Sequence, residues 1–239
     1  MSHETFSLQE ASDYLHISSA DVEALVRDDS IPYEKQGGRL VFRKRVIDAW
    51  ATKRILGLPS KQLVNYHKTS SAKVHDLSRQ HAIMPELLRE EHIDPWLTSK
   101  TMPSTVRAMV ELANGTGLIV YPEDLLERIV EREKEGSTAM RGGFALLHPH
   151  YHEPYMFEDS FVVLGRCIQP IPFGSSDGGK TDLFFFICGQ DDRIHLHVLA
   201  RLCMMCKETD LLEQLHQADD AEDMLAAVFA AEEQVIRKL

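Results

Sequence analysis

Three histidines, His148, His150 and His152, occupy every second position of GGFALLHPHYHEP, residues 142 to 154, directly after an apolar run. An extended chain puts alternate residues on one face. Three chemistries fit that spacing. Imidazoles suit zinc, and a set drawn from His148, His150 and His195 could ligate it, although no carboxylate or cysteine spacing completes a shell. One imidazole could instead be the single working histidine of a catalytic centre. The third reading is plain polar residues at a strand end, which suits His150 and His152. A separate pair, Cys203 and Cys206 in CMMC, has CxxC spacing. It sits inside a helical pattern with no second pair, so together with Cys167 and Cys188 it reads as buried thiol rather than redox or metal chemistry.

The elements that must position these side chains lie in residues 86 to 239. TVRAMVELANGTGLI has the apolar spacing of an amphipathic helix ending near Asn114 and Gly115. YPEDLLERIVEREKE is a second helix, with Pro122 at its start. FALLHPH, SFVVLGRC and TDLFFFICG are short apolar runs bounded by Gly, Pro and Asp, and predict buried strands. DRIHLHVLARLCMMC and AEDMLAAVFAAEEQVIRKL predict helices again. Helices interleaved with strands predict an α/β sandwich, a central mixed sheet with helices on both faces.

Three motifs in this order, EREKEGSTAMRGGFALLHPH, QPIPFGSSDGGKTDLFFFICG and DRIHLHVLARL, resemble the enzyme IIA domain of the fructose/mannitol class of the bacterial sugar phosphotransferase system. That class includes the nitrogen-related regulatory IIA proteins. The resemblance spans about 150 residues. It implies that His148 accepts a phosphoryl group from the phosphocarrier protein and passes it on, for instance to a IIB protein. It implies Arg132 as the site arginine and His195 as a second site histidine. Ser137 and Thr138 are then candidate hydroxyl donors to the phosphoryl group. Leu147 stands where the family carries proline, and AMRGG replaces its glycine-rich bend. Arg141 in that bend is thus an additional candidate phosphate ligand. His197, two residues from His195, points roughly 200° away on a helix and reads as structural or surface. This chemistry needs no cofactor and no resident metal.

The first 57 residues predict something different. Ser7 and Glu10 form a capping-box pattern ahead of a short helix, and Ser18 or Ser19 starts a second. Gly37-Gly38 marks a hairpin turn, Leu40-Val41-Phe42 the return strand, and RKRVIDAW a third helix. The order resembles the small winged helix-turn-helix of excisionase and MerR-like regulators. That resemblance implies DNA binding, with the second helix in the major groove and the wing on the backbone. The second helix is acidic, with Asp21, Glu23, Asp28 and Asp29 against Arg27. Bases cluster on and beyond the wing, and the candidate DNA contacts are Arg27, Lys35, Arg39, Arg43, Lys44 and Arg45. A protein-docking role for the module fits the same residues.

Charge divides the chain as the motifs do. Residues 1 to 29 carry seven acids and one base, whereas residues 30 to 80 carry eleven bases and three acids. The whole chain stands at −11. No run approaches the roughly 20 apolar residues of a membrane span, and the N-terminus has no signal-peptide pattern. The expected organisation is a winged helix-turn-helix over 1–57, a basic linker with one helix over 58–85, and a IIA-like domain over 86–239. The expected protein is cytoplasmic, without membrane insertion, and responds to phosphorylation as a regulator. A non-catalytic interaction protein and a phosphocarrier for sugar uptake fit the same motifs.

Overall fold

A computed structural model of the 239-residue chain describes residues 5–71, 82–149, 155–190 and 192–238. They divide into two compact units, Met1–Arg79 and Gln80–Leu239.

The first unit runs β1 (Thr5–Phe6), α1 (Leu8–Leu15), α2 (Ser19–Arg27), β2 (Glu34–Gln36), β3 (Arg39–Arg43), α3 (Lys44–Gly57) and α4 (Ser60–Ser71). Ser7 and Glu10 close a capping box on α1, and Ser18 and Asp21 close one on α2. Each box satisfies two backbone groups that a helix start would leave orphaned. Between the helices His16 turns left-handed at φ 54°. β2 and β3 pair around Gly37 and Gly38, at φ 56° and 79°. Two successive residues with positive φ make the tight turn that matches strand twist, and glycine adopts it without strain. β1 adds to the other edge of β3, giving the order β1-β3-β2. Tyr14 donates a 2.5 Å hydrogen bond to buried Asp48, tying α1 to α3. The sequence predicts a basic linker with one helix over residues 58–85. α4 occupies 60–71, and its Leu63 is fully buried, so the first half of that stretch is packed structure.

The second unit is built on a five-stranded mixed sheet. It contains α5 (Met84–Leu87), a 3-10 turn at Glu90–His92, β4 (Ile93–Leu97), α6 (Met102–Asn114), α7 (Pro122–Lys134), β5 (Ala139–Met140) and β6 (Phe144–Leu147). β7 (Phe161–Pro172), β8 (Lys180–Cys188), α8 (Asp192–Glu208), α9 (Leu211–Gln217) and α10 (Ala221–Lys238) follow. The strand order is β4-β7-β8-β6-β5, with β4∥β7 and β6∥β8 parallel and the other pairs antiparallel. Residues alternate between the two faces. Phe161, Val163, Phe184 and Phe186 join Met109, Val110, Leu125 and Ile129 of α6 and α7 in one core. Val162, Leu164, Leu183, Phe185 and Ile187, also buried, face the other way, where α8, α9 and α10 lie. Arg166 on that second face donates to the Leu215 carbonyl of α9 at 2.5 Å. A sheet covered on both sides explains why LFFFIC shows no polar alternation.

At Gly165 the sheet closely approaches Met109 of α6. A Cβ there would collide with Leu97 and lie 2.6 Å from the Met109 sulfur. Gly165→Ala is expected to cost about 1–3 kcal/mol through overpacking. Thermal denaturation would read this as a lower Tm, and an unchanged Tm would refute it.

One buried ion pair organises the second face. Arg201 of α8 donates to Glu232 of α10 at 2.9 Å, and both side chains are 0–1% exposed. The same carboxylate accepts the backbone N–H groups of Ile83 at 3.0 Å and Met84 at 2.9 Å. The charge is therefore balanced by one cation and two amide dipoles, which a carboxylate buried this deeply requires.

Candidate functional site

His148 follows β6 directly. Parallel pairing of β6 with β8, through Leu147 opposite Phe186, delivers it to one end of the sheet. Leu147 is fully buried in the core. A family proline is thus replaced by a residue that continues the strand and fills space, with Pro149 behind the histidine. The His148 Nδ1 lies 2.9 Å from the Leu146 carbonyl oxygen. A carbonyl only accepts, so Nδ1 carries the proton. Arg132 Nε donates to His148 Nε2 at 3.2 Å, which places a lone pair on Nε2. Both neighbours select the same neutral tautomer, with its nucleophilic nitrogen facing a guanidinium.

Arg132 sits in the last turn of α7 and is buried. A second bond, Nη1 to the Gly136 carbonyl at 3.0 Å, fixes the plane of its guanidinium. His195 enters from the first turn of α8, and its ring centroid is 4.7 Å from that of His148, tilted by 42°. Three residues far apart in sequence thus converge on one point, the N-terminal end of α8. All three are buried, and the two imidazoles are 0% exposed.

The remaining expected site residues have other placements. Ser137 donates its hydroxyl proton to the Phe173 carbonyl at 2.5 Å and accepts from Ala139 N at 3.1 Å. Thr138 donates both its hydroxyl and its N–H to Glu133. Their hydroxyl protons are spent on protein acceptors, so the pair braces the segment leading into β5 and does not point donors at a phosphoryl group. Arg141 lies on the exposed turn between β5 and β6, where its charge acts on Asp177. The length of β6, roughly 13 Å at 3.3 Å per residue, separates that turn from His148. The structure does not bring Arg141 to the site. The reason is hairpin geometry: β5 and β6 run antiparallel, so the glycine bend and the histidine fall at opposite ends of β6.

Glu133 is the site residue that sequence reasoning passed over. Burial raises its carboxyl pKa, opposed by the bonds from Thr138 and by the Arg132 charge. It follows the arginine directly and precedes the Ser-Thr pair by four and five residues. An acid at the end of a charged helix looks like a surface residue, and only the hydroxyl pair after it hinted at a buried acceptor.

His150 and His152 lie outside the described residues. Among the described residues no group of three His, Cys, Asp or Glu stands ready to hold a metal ion. His197 is fully buried. Burial pushes the Cys203 and Cys206 thiols up, which disfavours thiolate. In the first unit Arg27, Lys35, Arg39 and Arg45 are exposed. Arg43 is held by Glu34 at 2.5 Å, and the Lys44 ammonium lies 5.1 Å over the Phe6 ring. Exposed cations thus lie on the hairpin and the start of α3, and continue along α3 and into α4 at Lys53, Arg54 and Lys61, while α2 offers Arg27.

Known proteins repeat both halves. The family description "Phosphoenolpyruvate-dependent sugar phosphotransferase system, EIIA 2" matches residues 86–230, and a helix-turn-helix domain family matches residues 5–55. A nitrogen regulatory protein of Bradyrhizobium diazoefficiens is 33% identical over 123 residues, covering 50% of this chain and 78% of that protein. The crystal structure of nitrogen regulatory protein IIA-Ntr from Neisseria meningitidis superimposes with a TM-score of 0.56 at 22% identity, over 62% of this chain and 99% of that one. A complex of mannitol enzyme IIA with phosphorylated enzyme IIB from Escherichia coli gives a TM-score of 0.52 at 18% identity, over 59% and 96%. At these identities the two structures speak for the fold. With its matching motifs and a mixed sheet of the same fold, this chain belongs to the EIIA 2 family of the phosphoenolpyruvate-dependent sugar phosphotransferase system, and carries a helix-turn-helix domain ahead of that segment.

Proposed function

We propose that the protein is a phosphorylation-responsive regulator whose His148 accepts a phosphoryl group on Nε2. The observation that carries this reading is the Arg132–His148 contact, with Nδ1 already anchored on Leu146. The Nε2 lone pair attacks the phosphorus of a phosphohistidine on the phosphocarrier protein. The new N–P bond forms as the donor's N–P bond breaks, and the donor imidazole leaves with the electron pair. The Nδ1 proton stays on His148, where the Leu146 carbonyl stabilises the resulting imidazolium. Arg132 shifts its donors from Nε2 to the equatorial phosphoryl oxygens, which carry most of the transition-state charge. His195, in contact with His148, orients the phosphoryl group or supplies a proton. A IIB protein is a fitting acceptor, because a mannitol IIA of the same fold forms a complex with phosphorylated IIB. Among the described residues no helix is long and apolar enough to cross a membrane, and exchange with a phosphocarrier belongs in the cytoplasm.

Incubation with phosphoenolpyruvate, enzyme I and the phosphocarrier protein should yield an acid-labile adduct of about 80 Da, one phosphoryl group, that is lost in His148→Ala. The complete burial of His148 favours a second reading, an interaction protein that keeps the fold without phosphotransfer. Absence of label, beside a working IIA control, would select it. Label surviving in His148→Ala would mean that another histidine is the acceptor.

The regulatory output is proposed to run through the first unit. A phosphoryl group brings about −1.5 to −2 charges, set against a DNA-binding-type fold whose exposed cations include Lys35, Arg39 and Arg43 on its hairpin. DNA affinity of the full chain should fall with salt. Four phosphate contacts predict a log–log slope of about −3 to −4, and Lys35→Glu with Arg39→Glu should reduce it by about two. Absence of binding at low salt would leave protein docking as the role of the module.

A further inference from the structure

One feature of the first unit plays no part in the chemistry proposed for His148. A cavity of about 520 Å³ opens between the α1–α2 turn, α3 and α4. That volume suits a small organic ligand. Its floor is apolar, from Leu15, Ile17, Ala51, Ile55 and Leu58. Trp50 forms one wall, and the Arg54 guanidinium stacks 5.0 Å from its ring centroid. The Trp50 indole N–H is bonded to the Ser30 carbonyl at 2.8 Å, which fixes the ring.

Its polar groups are unevenly matched. Arg54 and Lys61 bring two positive charges to the lining, against Asp21 alone. The Asp21 carboxylate is engaged by the N–H and hydroxyl of Ser18, at 3.2 and 2.6 Å. Tyr66 also lines the cavity. Its hydroxyl is buried, and among the described residues nothing hydrogen-bonds it. A buried unpaired hydroxyl is destabilising, and a ligand atom that accepts from it removes that cost. Burial also pushes the Tyr66 hydroxyl well above its ordinary pKa, so it stays a proton donor.

We infer that this cavity is an effector site for a small aromatic or otherwise apolar organic anion, seated on the Trp50 wall with its charge at Arg54 and Lys61 and an acceptor atom on Tyr66. Such a ligand bridges α3 and α4 and so ties the first part of the basic stretch to the helix-turn-helix core. The inference does not depend on the chemistry at His148.

Trp50 reports on the site, and the other tryptophan, Trp96, lies in the second unit. Full-length protein carrying Trp96→Phe is titrated with 1-anilinonaphthalene-8-sulfonate, an aromatic monoanion, and with its uncharged counterpart N-phenyl-1-naphthylamine. Saturable one-to-one quenching of Trp50 is expected. Arg54→Gln with Lys61→Gln should weaken the anion about tenfold or more, a loss of at least ~1.4 kcal/mol, and the neutral probe by less than about twofold. Gln62→Phe, at an exposed position on the rim, should block both probes while circular dichroism shows an unchanged melt. Three results would overturn the inference: no quenching up to about 1 mM probe, a very weak ceiling; binding that survives Gln62→Phe; or sedimentation showing a dimer that Gln62→Phe dissociates, which would make a second copy of the chain the occupant.

Discussion

Arg132→Ala is expected to slow the phosphoryl transfer proposed for His148 by about 10²–10³-fold, the usual consequence of deleting one preorganised donor to developing charge. The measurement is the initial rate of labelling by a phosphorylated carrier protein in rapid-quench experiments. Two features of the site set the expectation. The guanidinium is buried and held by the Gly136 carbonyl, so it pays little to reorganise when the phosphoryl group arrives. It also touches His148 Nε2, the nitrogen proposed to attack. Arg132→Lys should recover only a small part of the rate, because an ammonium is a point charge without the planar fork. A rate for Arg132→Ala within about threefold of wild type would show that other groups carry the charge and that the contact is structural.

Glu232→Ala is expected to be the most damaging single change to the second unit, at about 3–5 kcal/mol, the range for stranding one member of a buried pair. It leaves the Arg201 guanidinium in the core and strips two backbone N–H groups of their acceptor. For a domain of this size each kcal/mol shifts Tm by roughly 2–4 °C, so a fall of roughly 6–20 °C is predicted. Removing both charges, in Glu232→Leu with Arg201→Met, should recover the part of the loss due to the stranded guanidinium, while the N–H groups of Ile83 and Met84 stay without their carboxylate acceptor. A cost below about 1 kcal/mol for Glu232→Ala, the value of a surface pair, would show that water reaches the site.

That residue also marks where sequence reading ends. In AAEEQV it is one of two adjacent acids on an amphipathic helix, with nothing local to mark it as the buried one. Local signals were readable. The Ser7–Glu10 box, the Gly37-Gly38 turn, Pro122 at the start of α7 and the LFFFIC strand are statements about neighbouring residues, and each appears in the structure. Pairings across long separations were not. β1 is two residues long and depends wholly on β3, while β4 contains Pro95 and lies at the sheet edge, where a missing N–H is tolerated. Neither shows a period of its own. At the site, motif order led to His148, Arg132 and His195, which converge. It misplaced Arg141 because seven residues in sequence, through a hairpin, span the length of a strand. It gives no sign of the partners of the Ser137 and Thr138 hydroxyls, because those acceptors, Phe173 and Glu133, show only in three dimensions.

The Glu232 contact has a mechanical side. The chain coming into the second unit is fastened, at Ile83 and Met84, to a carboxylate that α8 grips through Arg201. Arg201 stands six residues from His195 on that helix, roughly 9 Å along its axis. The fastening works as a cleat. A pull on the chain at residue 82 is loaded through Glu232 onto α10 and, through Arg201, onto α8, the helix that also carries the imidazole packed on His148.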